Sequence, residues 1–118
     1  MKEQRFWQAL EQLVATSKVT VDRPRNSAHP RYPDFTYPTD YGYLEGTQSA
    51  DGGGIDVWIG SLVGREVTGV VFTLDHEKRD LEGKILLGCT VDEAAAIAEA
   101  HNQGRQAAIL ILRTSLPP

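Results

Sequence analysis

A run of three glycines between two aspartates constrains this chain more than any other feature. Residues 51–59 read DGGGIDVWI. Consecutive glycines adopt positive φ and let the backbone reverse without a Cβ in the way, so the carboxylates of Asp51 and Asp56 can approach each other. Because side chains alternate along a strand, the aliphatic residues of IDVWI share one face, and Asp56 and Trp58 share the other. Asp56 is therefore predicted to point away from the aliphatic layer, toward water or a pocket.

Two interpretations of this acidic pair follow from the residues alone. Carboxylates held close together repel each other unless a cation lies between them, and Mg²⁺ prefers oxygen ligands. The first interpretation is therefore a magnesium site. The second is a hairpin in which Asp51 and Asp56 are ordinary turn residues, because aspartate and glycine are common in turns.

An aromatic run, residues 37–43 with the sequence YPTDYGY, precedes the glycine turn. Together the two runs resemble the signature of soluble family I inorganic pyrophosphatases, in which Tyr-Pro-x-Asn-Tyr-Gly is followed, at this same separation, by Asp-Gly-Asp-Pro-x-Asp-Val. The resemblance extends over roughly Val19 to Cys89, and the chain looks like a divergent, shortened member. It implies an inorganic diphosphatase that hydrolyses diphosphate to two phosphates through a metal-activated water, with Mg²⁺ as its cofactor.

The resemblance also implies roles for individual residues. The residues expected to bind metal are acidic and lie in or beside predicted strands: Asp22, Asp51, Asp56, Asp75 and Asp80. The residues expected to contact the phosphates of the substrate are Arg31, Tyr41 and Lys84. The expected catalytic residues are Asp51, Asp56, Tyr41 and Asp40. Because Lys84 comes two positions later than in the family, Glu82 is an alternative to Asp80 as the second acidic ligand of that loop.

Several positions depart from the pattern of the family, and two of them bear on catalysis. Gly53 replaces the middle aspartate, which in the family receives the proton of the nucleophilic water, and the loss of a general base typically costs about 10²–10⁴-fold in rate. Asp40 takes the place of the asparagine before Tyr41 and is a candidate to compensate. The alternative function is a non-catalytic, pyrophosphatase-like module that binds metal or a phosphate compound.

The fold expected from these features is α+β in a single domain covering residues 1–118. Helices are predicted over 3–15 and, after a capping box at 90–93, over 91–103. About six short strands surround a Gly/Pro-rich middle, with a long charged tip over 75–83 joining two of them. The resemblance implies a small closed antiparallel OB-like β-barrel of five to six strands with two outer helices.

Composition restricts the partners of the chain. The formal charge of −4 and the pI of about 5.3 argue against nucleic-acid binding through a basic surface, including an OB-like nucleic-acid binder. No apolar run approaches the ~20 residues of a membrane span. Cys89 is the single cysteine, so a reducing, cytoplasmic setting is expected. The expected partner is a small phosphate substrate, and the resemblance allows a homo-oligomer.

Overall fold

The computed structural model describes residues 2–50 and 52–113. The described residues form two helices and six strands. In chain order the elements are α1 (Lys2–Ala15), β1 (Val19–Arg23), β2 (Asp40–Leu44), β3 (Ile55–Ile59), β4 (Val67–Asp75), β5 (Asp80–Leu87), α2 (Val91–His101) and β6 (Gln106–Leu112).

The six strands form one sheet in the order β1-β2-β3-β5-β4-β6. β3 and β5 are parallel, and the other neighbours are antiparallel. Within residues 2–50 and 52–113, β1 and β6 are the sheet edges and do not pair with each other, so the sheet is open. The predicted closed antiparallel OB-like barrel is therefore wrong: the protein is α+β with an open, mixed sheet and two helices. Closure requires the edge strands to meet, and the insertion of β5 between β3 and β4 leaves β6 at the far edge instead.

An aliphatic core fills the side of the sheet that faces α1. Trp7 is the buried anchor of this helix, and Leu10 and Val14 follow it at helical spacing, so all three reach the sheet. The buried sheet residues of this core are Leu44, Val57, Ile59, Val67, Val70, Ile85 and Leu87.

A second core, rich in aromatic residues, lies on the side of the sheet that faces α2. Trp58 and Leu86 are fully buried there against Ile97 of the helix. The predicted capping box that begins α2 is confirmed: the Thr90 hydroxyl accepts from the Glu93 amide at 3.1 Å, and the Glu93 carboxylate accepts from the Thr90 amide at 2.9 Å. Neither described helix has both the length and the apolar character needed to cross a membrane.

The hairpin between β4 and β5 is tighter than predicted. Its strands continue to Asp75 and resume at Asp80, which pair with each other, so only residues 76–79 form the tip. Arg79 adopts a positive φ of 57° in this turn. The charged stretch 80–83, expected in a loop, is therefore part of β5, and its side chains alternate between the two sides of the sheet.

Candidate functional site

A polar cluster lies on the α2 side of the sheet, where three neighbouring strands each contribute one residue. The Tyr41 hydroxyl of β2 donates to Asp56 Oδ2 of β3 at 2.7 Å. Lys84 Nζ of β5 donates to the Tyr41 hydroxyl and to Asp56 Oδ2, each at 2.9 Å. These three residues, which the sequence singled out separately, are referred to below as the central cluster.

Strand register explains why these three residues meet. Asp56 and Trp58 lie on the α2 side, whereas Val57 and Ile59 belong to the α1-side core, as the alternation of the sequence predicted. Tyr41 pairs directly with Trp58 across the antiparallel β2–β3 ladder. The parallel pairing of Trp58 with Leu86 then places Asp56 beside Lys84, two residues earlier on each strand.

Glu82 extends the central cluster. Its carboxylate lies 3.2 Å from Lys84 Nζ, so the ammonium bonds to two carboxylates and one phenol. Lys84 is the most enclosed of the group, with its side chain 8% exposed against 19% for Glu82 and 35% for Asp56. Of the two acidic residues that the sequence left open, Glu82 contacts Lys84, while Asp80 lies at the hairpin end opposite Asp75.

The protonation states of the cluster follow from its hydrogen bonds. Burial raises the pKa of the Tyr41 phenol well above its ordinary value, so Tyr41 remains neutral and donates to Asp56. Burial alone would lower the pKa of Lys84, but the Tyr41 hydroxyl and the Asp56 carboxylate more than offset it and raise that pKa. Lys84 is therefore a buried, permanently charged ammonium at neutral pH.

Asp75 is buried at the end of β4 and caps the hairpin turn. Its Oδ1 accepts from the amides of Glu77 at 3.1 Å and Lys78 at 3.0 Å. The Lys78 amide in particular lowers the pKa of Asp75, so this carboxyl is ionised at neutral pH. Asp75 lines the same cavity as Lys84 but accepts from turn amides rather than from the central cluster.

The remaining predicted site residues lie away from the central cluster or outside the described residues. Asp22 is exposed at an irregularity of β1, where the register shifts between Val21 and Arg23. Asp40 pairs with Ile59, and its carboxylate accepts from the Arg25 amide at 2.8 Å, so alternation places it on the side opposite Tyr41.

Arg31 and Asp51 complete the predicted set. Arg31 is exposed on the loop before β2, and its amide donates to His29 Nδ1 at 3.0 Å. Asp51 lies outside the described residues.

Two carboxylates converge beside Lys84 and bear on whether the site can bind Mg²⁺. Among residues 2–50 and 52–113, no group of three or more His, Cys, Asp or Glu side chains is placed to hold one metal ion. Asp56 and Glu82 nevertheless both converge on Lys84 Nζ. Mg²⁺ is usually bound by one or two carboxylates together with waters and substrate phosphates. The pair fits that mode, with the Lys84 ammonium as the competing cation.

A cavity of about 520 Å³ opens beside the central cluster. The cavity has an aromatic wall that was not predicted from the sequence, and its residues are His29, Tyr32, Phe35, Tyr37 and Trp58. Two features of the sequence indicate this wall. Aromatic residues are dense in the proline-rich loop before β2, and Trp58 lies on the polar face of β3.

His101 also lines this cavity and is neutral. The indole N–H of Trp58 donates to His101 Nε2 at 3.2 Å, so the ring proton lies on Nδ1, which is 3.1 Å from Gln106 Oε1. Burial lowers the pKa of His101 to about 4.

Comparison with known proteins gives a likeness of fold. No sequence-family model matches the chain, and no curated protein matches it by sequence. An inorganic pyrophosphatase from Neisseria gonorrhoeae is similar in structure with a TM-score of 0.61 and 20% identity, over 75% of this chain and 77% of that chain. An inorganic phosphatase from Anaplasma phagocytophilum is similar with a TM-score of 0.54 and 14% identity, over 80% of this chain and 81% of that chain. The predicted resemblance to inorganic pyrophosphatases is thus confirmed as a similarity of fold.

Proposed function

We propose that this chain hydrolyses inorganic diphosphate, or a closely related phosphoanhydride, with the help of Mg²⁺. The observation that carries the proposal is the contact among Tyr41, Asp56 and Lys84. These residues come from the motifs that resemble the pyrophosphatase signature, and they meet on a sheet whose fold is similar to that of inorganic pyrophosphatases.

Lys84 and Tyr41 supply the groups that bind phosphate oxygens in this proposal. A buried ammonium acts in surroundings of low dielectric, where its attraction for an anion is stronger than in water. Its charge would stabilise the phosphate that leaves when the phosphoanhydride breaks. The neutral Tyr41 phenol is a hydrogen-bond donor beside it, able to exchange Asp56 for a phosphate oxygen. Arg31 remains a proposed contact from the neighbouring loop.

Asp56 and Glu82 are the described carboxylates best placed to hold Mg²⁺ together with substrate oxygens. Oδ2 of Asp56 accepts two of the three hydrogen bonds of the central cluster, and Oδ1 accepts none from the described residues. When bound, Mg²⁺ lowers the pKa of a coordinated water and neutralises phosphate charge. Asp22, Asp51, Asp75 and Asp80 remain proposed further ligands.

Slow turnover is expected because, within residues 2–50 and 52–113, neither position considered for the base is able to accept the proton of the attacking water. Gly53 has no carboxylate, and Asp40 is held on the opposite side of the sheet by the Arg25 amide. The water proton would then pass to solvent, and we expect about 10²–10⁴-fold less activity than a site with a positioned base.

A second candidate function is a non-catalytic module that binds metal or a phosphate compound. Two observations favour it: Gly53 in place of the expected base, and the ion pairs of Lys84 with both Asp56 and Glu82, which occupy the carboxylates that a metal would need. Such a site would bind a phosphate anion without activating water.

Release of phosphate from inorganic diphosphate in excess Mg²⁺ tests the proposal. The parent protein should release phosphate, and Asp56→Asn, purified identically, should lose about 10²-fold or more of that rate. Asp92→Asn, an exposed aspartate of α2, is the matched control and should retain it.

A further variant separates the two candidates. Gly53→Asp returns a carboxylate to the position of the missing base, and it should accelerate phosphate release if the parent protein is a slow enzyme. Absence of phosphate release from both the parent and Gly53→Asp, with diphosphate binding intact, would reject hydrolysis and leave the binding module.

A further inference from the structure

The cavity beside Lys84 is larger and more aromatic than inorganic diphosphate requires. Its volume of about 520 Å³ falls within the range of ~300–1,000 Å³ that is typical of pockets for whole organic ligands. Diphosphate is small and polar throughout, so it gains nothing from a wall of aromatic rings. A ligand that fills this cavity needs a flat apolar portion as well as an anionic one.

Ring contacts connect the aromatic wall to the cation. The centroids of His29 and Tyr37 lie 6.2 Å apart with their planes at 11°, and those of Tyr37 and Tyr41 lie 5.4 Å apart. Lys84 Nζ is 5.5 Å from the centroid of the Tyr41 ring. The wall and the ammonium are therefore connected by a continuous series of ring contacts along one cavity.

The loop that carries the aromatic wall is held in place before any ligand binds. Its two arms are joined by bonds from the Tyr37 amide to the Ser27 carbonyl at 3.0 Å and from the His29 amide to the Phe35 carbonyl at 2.9 Å. The His29 ring is fixed as well, because Nδ1 accepts from the amides of Arg31 at 3.0 Å and Tyr32 at 3.2 Å. Burial, and then Arg23 and Arg31, lower the pKa of His29, so the ring is neutral at neutral pH. A fixed, neutral ring is suited to stacking on a base.

Further cations lie around the same cavity. Lys78 and Arg105 line it together with Lys84, although the formal charge of the whole chain is −4. Asp75 also lines the cavity, and Arg105 Nε lies 3.4 Å from the Glu77 carboxylate, so these cations are partly paired with carboxylates. The cavity thus combines an aromatic wall with cations that can contact phosphates, which matches a planar base joined to a chain of phosphates.

We infer that the phosphoanhydride bound at this site carries a nucleobase, with the base on the wall formed by His29, Tyr32 and Phe35 and the phosphates at Lys84. The inference rests on the proposed function for the chemistry at the phosphate end. In that step the water oxygen forms a bond to one phosphorus as the bond from that phosphorus to the bridging oxygen breaks. The bridging oxygen leaves with the other phosphate, and the water proton passes to solvent.

Equilibrium binding of ADP and of inorganic diphosphate, each with Mg²⁺, tests the inference by titration calorimetry on the full chain. ADP should bind more tightly than diphosphate, and Tyr32→Ala should weaken ADP binding by about 10- to 100-fold while leaving diphosphate binding unchanged, because only the base stacks on the ring. Phe6→Ala is the matched control: Phe6 is 48% exposed on α1 and Tyr32 is 49% exposed on the cavity wall.

A second variant tests whether a loss of ADP affinity comes from the missing ring or from a disturbed loop. His29→Asn removes the ring but keeps a side-chain oxygen that accepts hydrogen bonds from the amides of Arg31 and Tyr32, as Nδ1 does in the parent protein. The turn is therefore retained. It should reproduce the loss of ADP affinity with no loss of thermal stability beyond that of the control.

Phosphate release, followed in parallel from both compounds, distinguishes failure of this inference from failure of the proposed function. ADP that binds through Tyr32 and is not cleaved supports the nucleotide site and counts against hydrolysis. Diphosphate that is cleaved while ADP binds no more tightly, or while Tyr32→Ala changes nothing, overturns the nucleotide site and leaves hydrolysis standing. Absence of binding for both compounds overturns both.

Discussion

Substitution of Lys84 by methionine isolates the electrostatic balance of the central cluster. Methionine retains most of the buried stem, so the change removes the ammonium and leaves Asp56 and Glu82 side by side without their shared partner. Removal of one member of a fully buried ion pair costs about 3–5 kcal/mol. Because Asp56 is 35% exposed and Glu82 19%, solvent compensates for part of that, and we expect a loss of about 2 kcal/mol in the free energy of unfolding. For a chain of 118 residues this corresponds to a fall of about 8 °C in Tm.

Urea and thermal unfolding followed by circular dichroism, without divalent cations, measure this loss. Lys18→Met is the matched control, since Lys18 is 78% exposed and lies 3.8 Å from Glu45, a surface pair that contributes little. Adding Asp56→Asn to Lys84→Met should recover part of the loss, because one of the two repelling charges is gone. Excess Mg²⁺ should stabilise Lys84→Met more than the parent protein.

The difference in stability between the parent protein and Lys84→Met depends on pH in a direction that follows from the pKa of Lys84. The pKa of Lys84 is raised in the folded state, so its stabilisation is fully present below the unfolded pKa of about 10.4 and is lost only as pH rises beyond that value. The gap between the parent protein and Lys84→Met should therefore be constant from pH 7 to about 10. A variant as stable as the parent, or strictly additive effects of Lys84→Met and Asp56→Asn, would refute this account of the cluster.

Other predictions concern the elements that support the site. The pKa of His101 is lowered to about 4 in the folded state from about 6.5 in the unfolded state, so its contribution of about 3 kcal/mol is present above pH 6.5 and is lost as pH falls toward 4. Urea titrations across that interval should show the loss in the parent protein and a flatter profile in His101→Gln. A Cβ on Gly42 would lie 1.8 Å from the Thr20 carbonyl oxygen, so Gly42→Ala should cost more than about 3 kcal/mol or prevent folding. Gly46→Ala should cost only about 1 kcal/mol, because Gly46 has a positive φ of 76° but nothing within 4 Å; similar losses in the two glycine variants would contradict this reasoning.

Local patterns of the sequence predicted the features that depend on few neighbours. The period of two along residues 55–59 places Asp56 and Trp58 opposite Val57 and Ile59, and the structure agrees because alternation is a property of any strand. The capping box at Thr90 was predictable for the same reason, since both of its hydrogen bonds lie within four residues.

Long-range pairing was not predictable in this way. Alternation assigns side chains to faces but does not say which strands become neighbours, so the parallel contact of β3 with β5 and the open edge at β6 were missed. Treating 80–83 as a loop also hid the fact that Glu82 and Lys84 share one side of β5. The aromatic wall was missed because the loop around His29 is rich in proline and has no periodicity from which a common surface could be inferred.

The bonds of Lys84 give a reason to expect that cation and anion bind this site together. Mg²⁺ added alone must compete with an ammonium that already bonds to Asp56 and Glu82 and whose side chain is 8% exposed, so the displaced charge would have no new partner. A phosphate group bound at the same time gives Lys84 strong acceptors. We therefore expect the affinity for Mg²⁺, measured by calorimetry, to rise about tenfold or more when a methylene-bridged diphosphate that cannot be hydrolysed is present. By reciprocity, the affinity for that anion should rise by the same factor when Mg²⁺ is added, and Lys84→Met should weaken the coupling. Equal Mg²⁺ affinity with and without the anion would show that Lys84 does not compete for the carboxylates.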